Sequence, residues 1–200
     1  MVPSPQAPSV SNPAEPLILV DSQDRELGQL SKAECHAGKG VLHRAFSIHL
    51  INSRGELLLQ QRSADKPLWP LYWSNSCCSH PRAGETMTSA VHRRLQQELG
   101  LTCGLHYLYK FEYQARYKNL GAEREVCWVY LGRCDQPPRA NPEELAEWCY
   151  LSPVAIDRLL TREDHRFTPW FKLEWQQLKQ EFPDWLAPTP QRSQDHASRN

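Results

Sequence analysis

The chain has 200 residues, 23 acidic and 23 basic side chains, and a formal net charge of zero. That length fits one domain with a full hydrophobic core and no need of disulfide staples. The balanced charge excludes a basic field for nonspecific nucleic-acid binding, and no apolar run nears the ~18–20 residues that cross a bilayer.

Residues 1–16 are rich in proline, serine and alanine and show no periodicity, which predicts a disordered arm rather than a secretory signal. Leu17–Val20 reads as a short buried strand. Arg44–Ile51 and Glu56–Arg62 are strand-like runs around the turn Asn52-Ser53-Arg54-Gly55, a hairpin signal. Residues 63–84 read as a long irregular loop, and such loops inside compact domains are usually functional. A helix is predicted from about Thr86 to Leu99, stopped by Gly100.

Residues 105–117 alternate, with Tyr107, Tyr109, Phe111 and Tyr113 on one face and His106, Lys110, Glu112, Gln114 and Arg116 on the other. Asn119-Leu120-Gly121 turns the chain into a strand from Glu123 to Leu131. Residues 137–142 read as loop. Ser152-Pro153 and Thr168-Pro169 each pair an N-cap with a first-turn proline, opening helices to Leu160 and to about Phe182. The segment 184–200 reads as a flexible tail. Strands and helices mix without regular alternation, so the expected class is α+β, one domain spanning 17–183.

The seven cysteines (35, 77, 78, 103, 127, 134 and 149) are odd in number and contain no C-x-x-C pair, which disfavours a zinc ribbon. Free thiols in a reducing cytoplasm are the simplest reading.

Three groupings carry chemistry. Asn75-Ser76-Cys77-Cys78-Ser79-His80-Pro81 sets a thiol two residues from an imidazole, behind Trp69-Pro70-Leu71-Tyr72-Trp73. His36 and His43 flank Ala37-Gly38-Lys39-Gly40. Glu123 and Glu125 share a strand face with Cys127 and Val129, so two like charges point at one apolar region. Either one is protonated or a cation sits between them; for Glu123 alone, a solvated strand end is the simpler account. Three imidazoles and two carboxylates make a mixed nitrogen–oxygen site suited to manganese, zinc or iron.

On the predicted helix, Met87, Val91, Leu95 and Leu99 form an apolar stripe, and Glu98 projects about 20° from Val91. Its carboxylate needs a cation or an ion pair with Arg94 one turn back, and the pattern leaves both open. His49, His92, His106, His165 and His196 read as ordinary. The tryptophans read mostly as core. Trp170 starts the last helix, where an indole face can stabilise a cation.

The Asn75–Pro81 segment, the strand opening His43-Arg44-Ala45-Phe46-Ser47 and Glu123-Arg124-Glu125 together resemble the type I isopentenyl-diphosphate Δ-isomerases, from about Leu17 to Phe182. That family is similar in fold to the Nudix hydrolases, so the resemblance implies a mixed sheet between helices. The Nudix motif Arg-Glu-apolar-x-Glu-Glu-x-Gly is depleted in Arg93-Arg94-Leu95-Gln96-Gln97-Glu98-Leu99-Gly100, where Arg94 and Gln97 replace carboxylates. Hydrolysis of diphosphates in Nudix enzymes leans on several metals held there, so the depletion favours isomerase over pyrophosphohydrolase, the alternative.

The resemblance also implies roles. Cys78 matches the catalytic thiol, Glu125 the catalytic carboxylate, and Tyr113 a tyrosine bonded to that carboxylate. His36, His43, His80, Glu123 and Glu125 match the ligands of Mn²⁺, Zn²⁺ or Mg²⁺. Glu98, aided by the Cys78 backbone carbonyl, matches the holder of a second Mg²⁺ against the substrate diphosphate. Lys32, Arg62, Lys66 and Arg94 match the diphosphate grip, and Trp170 the aromatic facing the isoprenoid carbons.

The implied reaction is a 1,3-proton shift through a tertiary carbocation. The implied partner is a small isoprenoid diphosphate, not nucleic acid or membrane, for a cytoplasmic monomer or homodimer. A closed structural zinc site fits poorly, because the candidates are mostly histidine and carboxylate. A flavin-dependent isomerase fits poorly too, because no glycine-rich phosphate loop is present.

Overall fold

A computed structural model describes residues 11–189. Its nine strands form one mixed sheet. In chain order the elements are β1 (Pro16–Val20), β2 (Glu26–Ser31), α1 (Lys32–His36), β3 (His43–Ile51), β4 (Leu57–Arg62), β5 (Trp73–Ser74), β6 (Cys77–Ser79), α2 (Met87–Leu99), β7 (Leu105–Tyr117), β8 (Gly121–Arg133), β9 (Leu145–Leu151), α3 (Pro153–Glu163) and α4 (Pro169–Glu181). The α+β class follows directly, with helices on a single mixed sheet.

Strand β3 is the organiser. Along one edge it runs parallel to β8 from His43↔Glu125 to Ile51↔Arg133. Along the other it meets β1 at Leu19↔His43, β6 at Phe46↔Ser79 to Ile48↔Cys77, and β4 at Ile51↔Leu57. Its sequence suits that place, because a strand covered on both faces reads as a nearly continuous apolar run. Ala45, Phe46, Ile48, Leu50 and Ile51 are all buried.

The two faces of the sheet carry separate cores. On one, Ala90, Val91, Leu95 and Leu99 of α2 pack on Phe46, Ile48, Leu50 and Leu58. The expected helix ends hold: Thr86 caps the Ser89 amide, and Gly100 closes the helix at φ 63°, a left-handed conformation that glycine adopts without strain. On the other face, Trp170, Phe171, Trp175 and Leu178 of α4 pack on Ile51, Leu57, Leu59, Cys127 and Leu131.

Two expectations need correction, and three elements were not expected. The loop expected over 63–84 contains β5 and β6. Ser76 Oγ accepts from the Leu50 amide (2.8 Å) and donates to the Leu58 carbonyl (2.6 Å), so a side chain stitches this segment into the gap between β3 and β4. Tyr107 leaves the face of Tyr109, Phe111 and Tyr113, because the β7–β8 register slips between Tyr107 and Tyr109, and its ring meets Trp128 and Tyr130 instead. Strand β2, which pairs with β1, strand β9, which pairs with β4 from Leu57↔Leu151 to Arg62↔Leu145, and the short α1 with its Ser31/Glu34 capping box are additional elements.

Both ends of the domain extend further than expected. Residues 11–16 are not a free arm: the Lys32 amide donates to the Glu15 carbonyl (2.8 Å), the Ala33 amide to Pro13 (2.9 Å), and Glu15 pairs with Arg82. Past Pro183, Arg133 Nη2 donates to the Trp185 carbonyl (3.0 Å) and the Thr189 amide to Ser53 (2.9 Å), so 184–189 pack on the domain as well. The rest of the expected arm and tail, and His196 with them, lie outside the described residues.

Candidate active site

The residues singled out from sequence converge at one end of β3 and β8. Parallel pairing sets His43 directly opposite Glu125, and antiparallel pairing sets Tyr113 of β7 on the other side of Glu125. Strand alternation then carries Glu123 onto the face that holds Glu125. His36 arrives from the end of α1. A β-carbon on Gly121 would run into the His36 carbonyl, so glycine alone lets the end of α1 lie against the start of β8. His36 Nε2 thereby reaches 2.6 Å from Glu123 Oε2. His80, just past β6, completes the group.

One ligand atom from each of His36, His43, His80, Glu123 and Glu125 lies within 4.8 Å of all the others. His43 Nε2 is 3.1 Å from His80 Nε2, and His80 Nε2 is 3.2 Å from Glu125 Oε1. His36 Nε2 and Glu123 Oε2 are buried without a hydrogen bond, close together but not in donor–acceptor geometry. Such a convergence of mutually unsatisfied nitrogen and oxygen atoms fits a divalent cation.

The outer contacts agree. His36 Nδ1 lies 2.6 Å from the Lys32 carbonyl and His43 Nδ1 2.7 Å from the Val41 carbonyl. A carbonyl only accepts, which places a proton on Nδ1 of each ring and turns each Nε2 to the centre; burial lowers His36 but Glu123 outweighs it and raises its pKa, so its Nε2 offers a lone pair to a cation once that proton is displaced. Burial, then the His43 ring, hold His80 well below its usual pKa, so its nitrogens are free of charge. Burial would raise Glu123 and Glu125, but the imidazoles beside them (His36 for Glu123, His43 for Glu125) outweigh it and keep both carboxyls below their usual range.

Beside this cluster opens a cavity of about 610 Å³ lined by Cys78, Tyr113, Glu125, Trp170 and Phe46. Tyr113 donates its hydroxyl to Glu125 Oε2 at 2.7 Å. Burial, then Glu125, push the Tyr113 phenol well above its usual pKa, so it stays a donor. Burial pushes the Cys78 thiol up to about 12, which keeps it protonated at neutral pH.

The vicinal cysteines separate cleanly. Alternation along β6 sends Cys77, fully buried, into the α2 core and Cys78 towards the cavity. Trp170 donates its indole N–H to Asn75 Oδ1 (3.3 Å), and Asn75 in turn donates to the Cys77 carbonyl (2.8 Å). The Asn75–Pro81 segment therefore holds both the thiol and the indole.

Lys32, Arg62, Lys66 and Arg94 also line the cavity. Arg62 donates to the Trp69 and Leu68 carbonyls (3.0 Å each) and lies 5.3 Å from the Trp170 ring centre. Arg94 pairs with Glu98 and with Glu144 (3.2 Å), and Lys66 pairs with Glu144. Of the two accounts of Glu98, the ion pair is the one present; the carboxylate is 2 % exposed and stands apart from the five-residue cluster.

Sequence reasoning missed Glu144, whose burial in a loop has no periodic signature. It also passed over His49, which is fully buried and lies 2.9 Å from the equally buried Glu174. The available signal was positional: His49 shares the β3 face of His43, and Glu174 lies one turn beyond Trp170.

The Nudix-domain family profile matches residues 41–171. The fold resembles crystal structures of DR0079 from Deinococcus radiodurans (TM-score 0.67, 23 % identity, 82 % of this chain and 98 % of that one). It also resembles a MutT protein from Methanosarcina mazei (TM-score 0.58, 17 % identity, 70 % and 94 %). Closer in sequence are two proteins named for an isomerase. Isopentenyl-diphosphate Delta-isomerase 1 of Photorhabdus laumondii is 41 % identical over 175 residues, covering 86 % of this chain and 99 % of the relative. The isopentenyl-diphosphate Delta-isomerase of Serratia proteamaculans is 42 % identical over 157 residues, covering 78 % and 87 %.

Fold and profile define the class as Nudix-domain proteins. Within that class, this chain belongs to the isopentenyl-diphosphate Delta-isomerase family.

Proposed function

We propose that this chain isomerises isopentenyl diphosphate to dimethylallyl diphosphate, with Glu125 and Cys78 as the two proton-handling groups. One observation carries the reading: Cys78, the Tyr113-bonded Glu125 and Trp170 line the same cavity. A terminal alkene is a weak base, so its protonation needs an acid held out of water and a way to stabilise the cation that forms.

The proton goes to the terminal methylene, giving a tertiary cation at the neighbouring carbon. A proton is then lost from the methylene on the diphosphate side, and the double bond re-forms there. Glu125, steadied by the Tyr113 hydroxyl, handles one transfer and Cys78 the other. Trp170 offers its π-face to the cation, a contact worth about 2 kcal/mol once desolvated. Lys32, Arg62, Lys66 and Arg94 bind the diphosphate, and that binding energy aligns the alkene between the two groups.

The five-residue cluster suits a divalent cation, which when bound supplies positive charge that keeps Glu123 and Glu125 together and tunes the acidity of Glu125. Manganese, zinc and magnesium all suit these donors. Glu98, the expected holder of a second Mg²⁺, is instead paired with Arg94 and does not line the cavity, so it fits that ion only if Arg94 turns away to the diphosphate, and no step is routed through it. The seven unbridged cysteines support a reducing, cytoplasmic setting.

Proton NMR of isopentenyl diphosphate incubated with purified protein and Mg²⁺, without flavin or reductant, tests this. New dimethylallyl methyl signals are expected. Release of phosphate or pyrophosphate without them would support the hydrolase alternative.

A further inference from the structure

Glu144 has no part in the scheme above, yet it is tied to three groups that line the cavity. The turn that carries it, just ahead of β9, is pinned at both ends. The Asn141 amide donates to the Glu98 carbonyl near the end of α2 (2.8 Å), and the Ser63 amide, just past β4, donates to the Glu144 carbonyl (3.0 Å). Within the turn, the Glu144 amide donates to the Asn141 carbonyl (3.0 Å) and the Glu143 amide to Asn141 Oδ1 (3.0 Å). The backbone therefore fixes where this side chain starts, and the residue is only 3 % exposed.

A single oxygen, Oε2, then takes three donors. Lys66 Nζ pairs with it, Arg94 Nη2 lies 3.2 Å away and Ser11 Oγ 3.5 Å. Lys66 Nζ also donates to Ser11 Oγ (3.3 Å). The three donors stand 133, 78 and 50 positions from Glu144 along the chain, so no local structure sets their mutual placement. Ser11, Lys66 and Arg94 all line the cavity, whereas Glu144 does not. Burial would raise its carboxyl, but Lys66 and then Arg94 hold it at about 2, so it is charged at neutral pH.

An ammonium has three N–H donors and a guanidinium five, so bonds to Oε2 leave others for a ligand. Lysine and arginine stems are flexible, and a ligand that must order them itself loses affinity. Apolar residues of similar volume often serve stability as well as a buried ion pair does. What this carboxylate orders is the surface of the cavity.

We propose that Glu144 is a positioning residue for diphosphate binding, whose Oε2 gathers Lys66, Arg94 and Ser11 from three parts of the chain so that their remaining donors converge on the anion. The inference rests on the reading of this cavity as the isopentenyl diphosphate site. The anion is bound alike in ground and transition states, so the effect falls on KM more than on kcat.

The test uses metal-loaded protein, isopentenyl diphosphate as substrate and inorganic pyrophosphate as a competing ligand, whose binding is also read by calorimetry without turnover. Glu144→Gln keeps the size and removes the charge. It is expected to raise KM and to weaken pyrophosphate about tenfold, as loss of one charge-assisted hydrogen bond would, with kcat changed less than about threefold. Glu144→Asp keeps the charge but withdraws the oxygen by one methylene, and serves should the first variant fold poorly. It is expected to weaken both ligands about threefold, since it restores the charge but not its place.

Unchanged KM and pyrophosphate affinity in a folded variant, or a loss confined to kcat, would overturn the role. Tighter pyrophosphate binding in Glu144→Gln would overturn it too, because the carboxylate would then be a competitor of the anion and not the organiser of its site. A wild-type protein that binds pyrophosphate and leaves isopentenyl diphosphate unchanged would instead overturn the isomerase reading.

Discussion

The two ends of the cavity solve opposite electrostatic problems. At the cluster end, the ring nitrogens and carboxylate oxygens of His36, His43, His80, Glu123 and Glu125 converge, and no lysine or arginine forms an ion pair with these two glutamates among the described residues. At the other end, Lys66 and Arg94 are already bound by Glu144 and Glu98, and Lys32 sits nearby. Burial, then the charges of Lys66 and Arg94, depress the Lys32 ammonium. The first end is organised to receive a cation. The second is a crowd of cations held by internal carboxylates, and the proposed reading has it take the diphosphate.

Breaking the first end should cost most. Glu125→Gln and Cys78→Ala are each expected to lower kcat by at least ~10³-fold in the NMR assay, in line with losing an essential proton-transfer group. Cys77→Ser is the control: Cys77 faces the α2 core, so its variant should keep most activity and lose about 1–2 kcal/mol of stability, as a buried hydroxyl replaces a thiol. A Cys77→Ser protein as inactive as Cys78→Ala would reverse the choice of thiol.

Chelation should then abolish turnover and lower Tm, because Glu123 and Glu125 are left as neighbouring like charges. Activity that ignores a strong chelator removes the cation from the scheme.

Breaking the second end should act on binding and on folding. Arg94→Met strips the partner from Glu98 and one of two from Glu144, and removal of a buried partner costs about 3–5 kcal/mol, read from urea unfolding. Lys66→Ala should raise KM with a smaller change in kcat.

The smallest effect concerns acid. Burial would raise Glu144, but Lys66 and Arg94 outweigh it and hold its carboxyl at about 2. Its folded pKa lies below its unfolded one, so its contribution is complete above the ordinary carboxylate range and fades as pH falls towards 2. Glu144→Gln should therefore flatten the loss of stability between about pH 5 and pH 2. An unchanged acid-unfolding profile would contradict this.

Much of the cluster end was legible because its ligands sit on regular elements. Two-residue spacing on a strand is enough to bring Glu123 and Glu125 to one face. The second end was less so: helical spacing offered the Glu98–Arg94 pair as one of two open accounts, and nothing pointed to the rest. Glu144 lies in a loop, and its partners come from elements far apart in sequence. The Cys77–Ser79 strand was hidden for a related reason: its neighbours are held by the Ser76 and Asn75 side chains, which no alternation of apolar residues announces. Tyr107 was assigned to the wrong face because a bulge resets alternation without a glycine or proline to mark it. His49 was passed over because an isolated histidine in an apolar strand has no partner visible until α4 supplies Glu174.

The most direct measurement is turnover in D₂O followed by NMR. Protonation at the terminal methylene should give dimethylallyl diphosphate carrying solvent deuterium in a methyl group, formed by wild type and not by Glu125→Gln or Cys78→Ala. Product without deuterium in either methyl, or undiminished product from either variant, would contradict a proton shift run between residues 78 and 125.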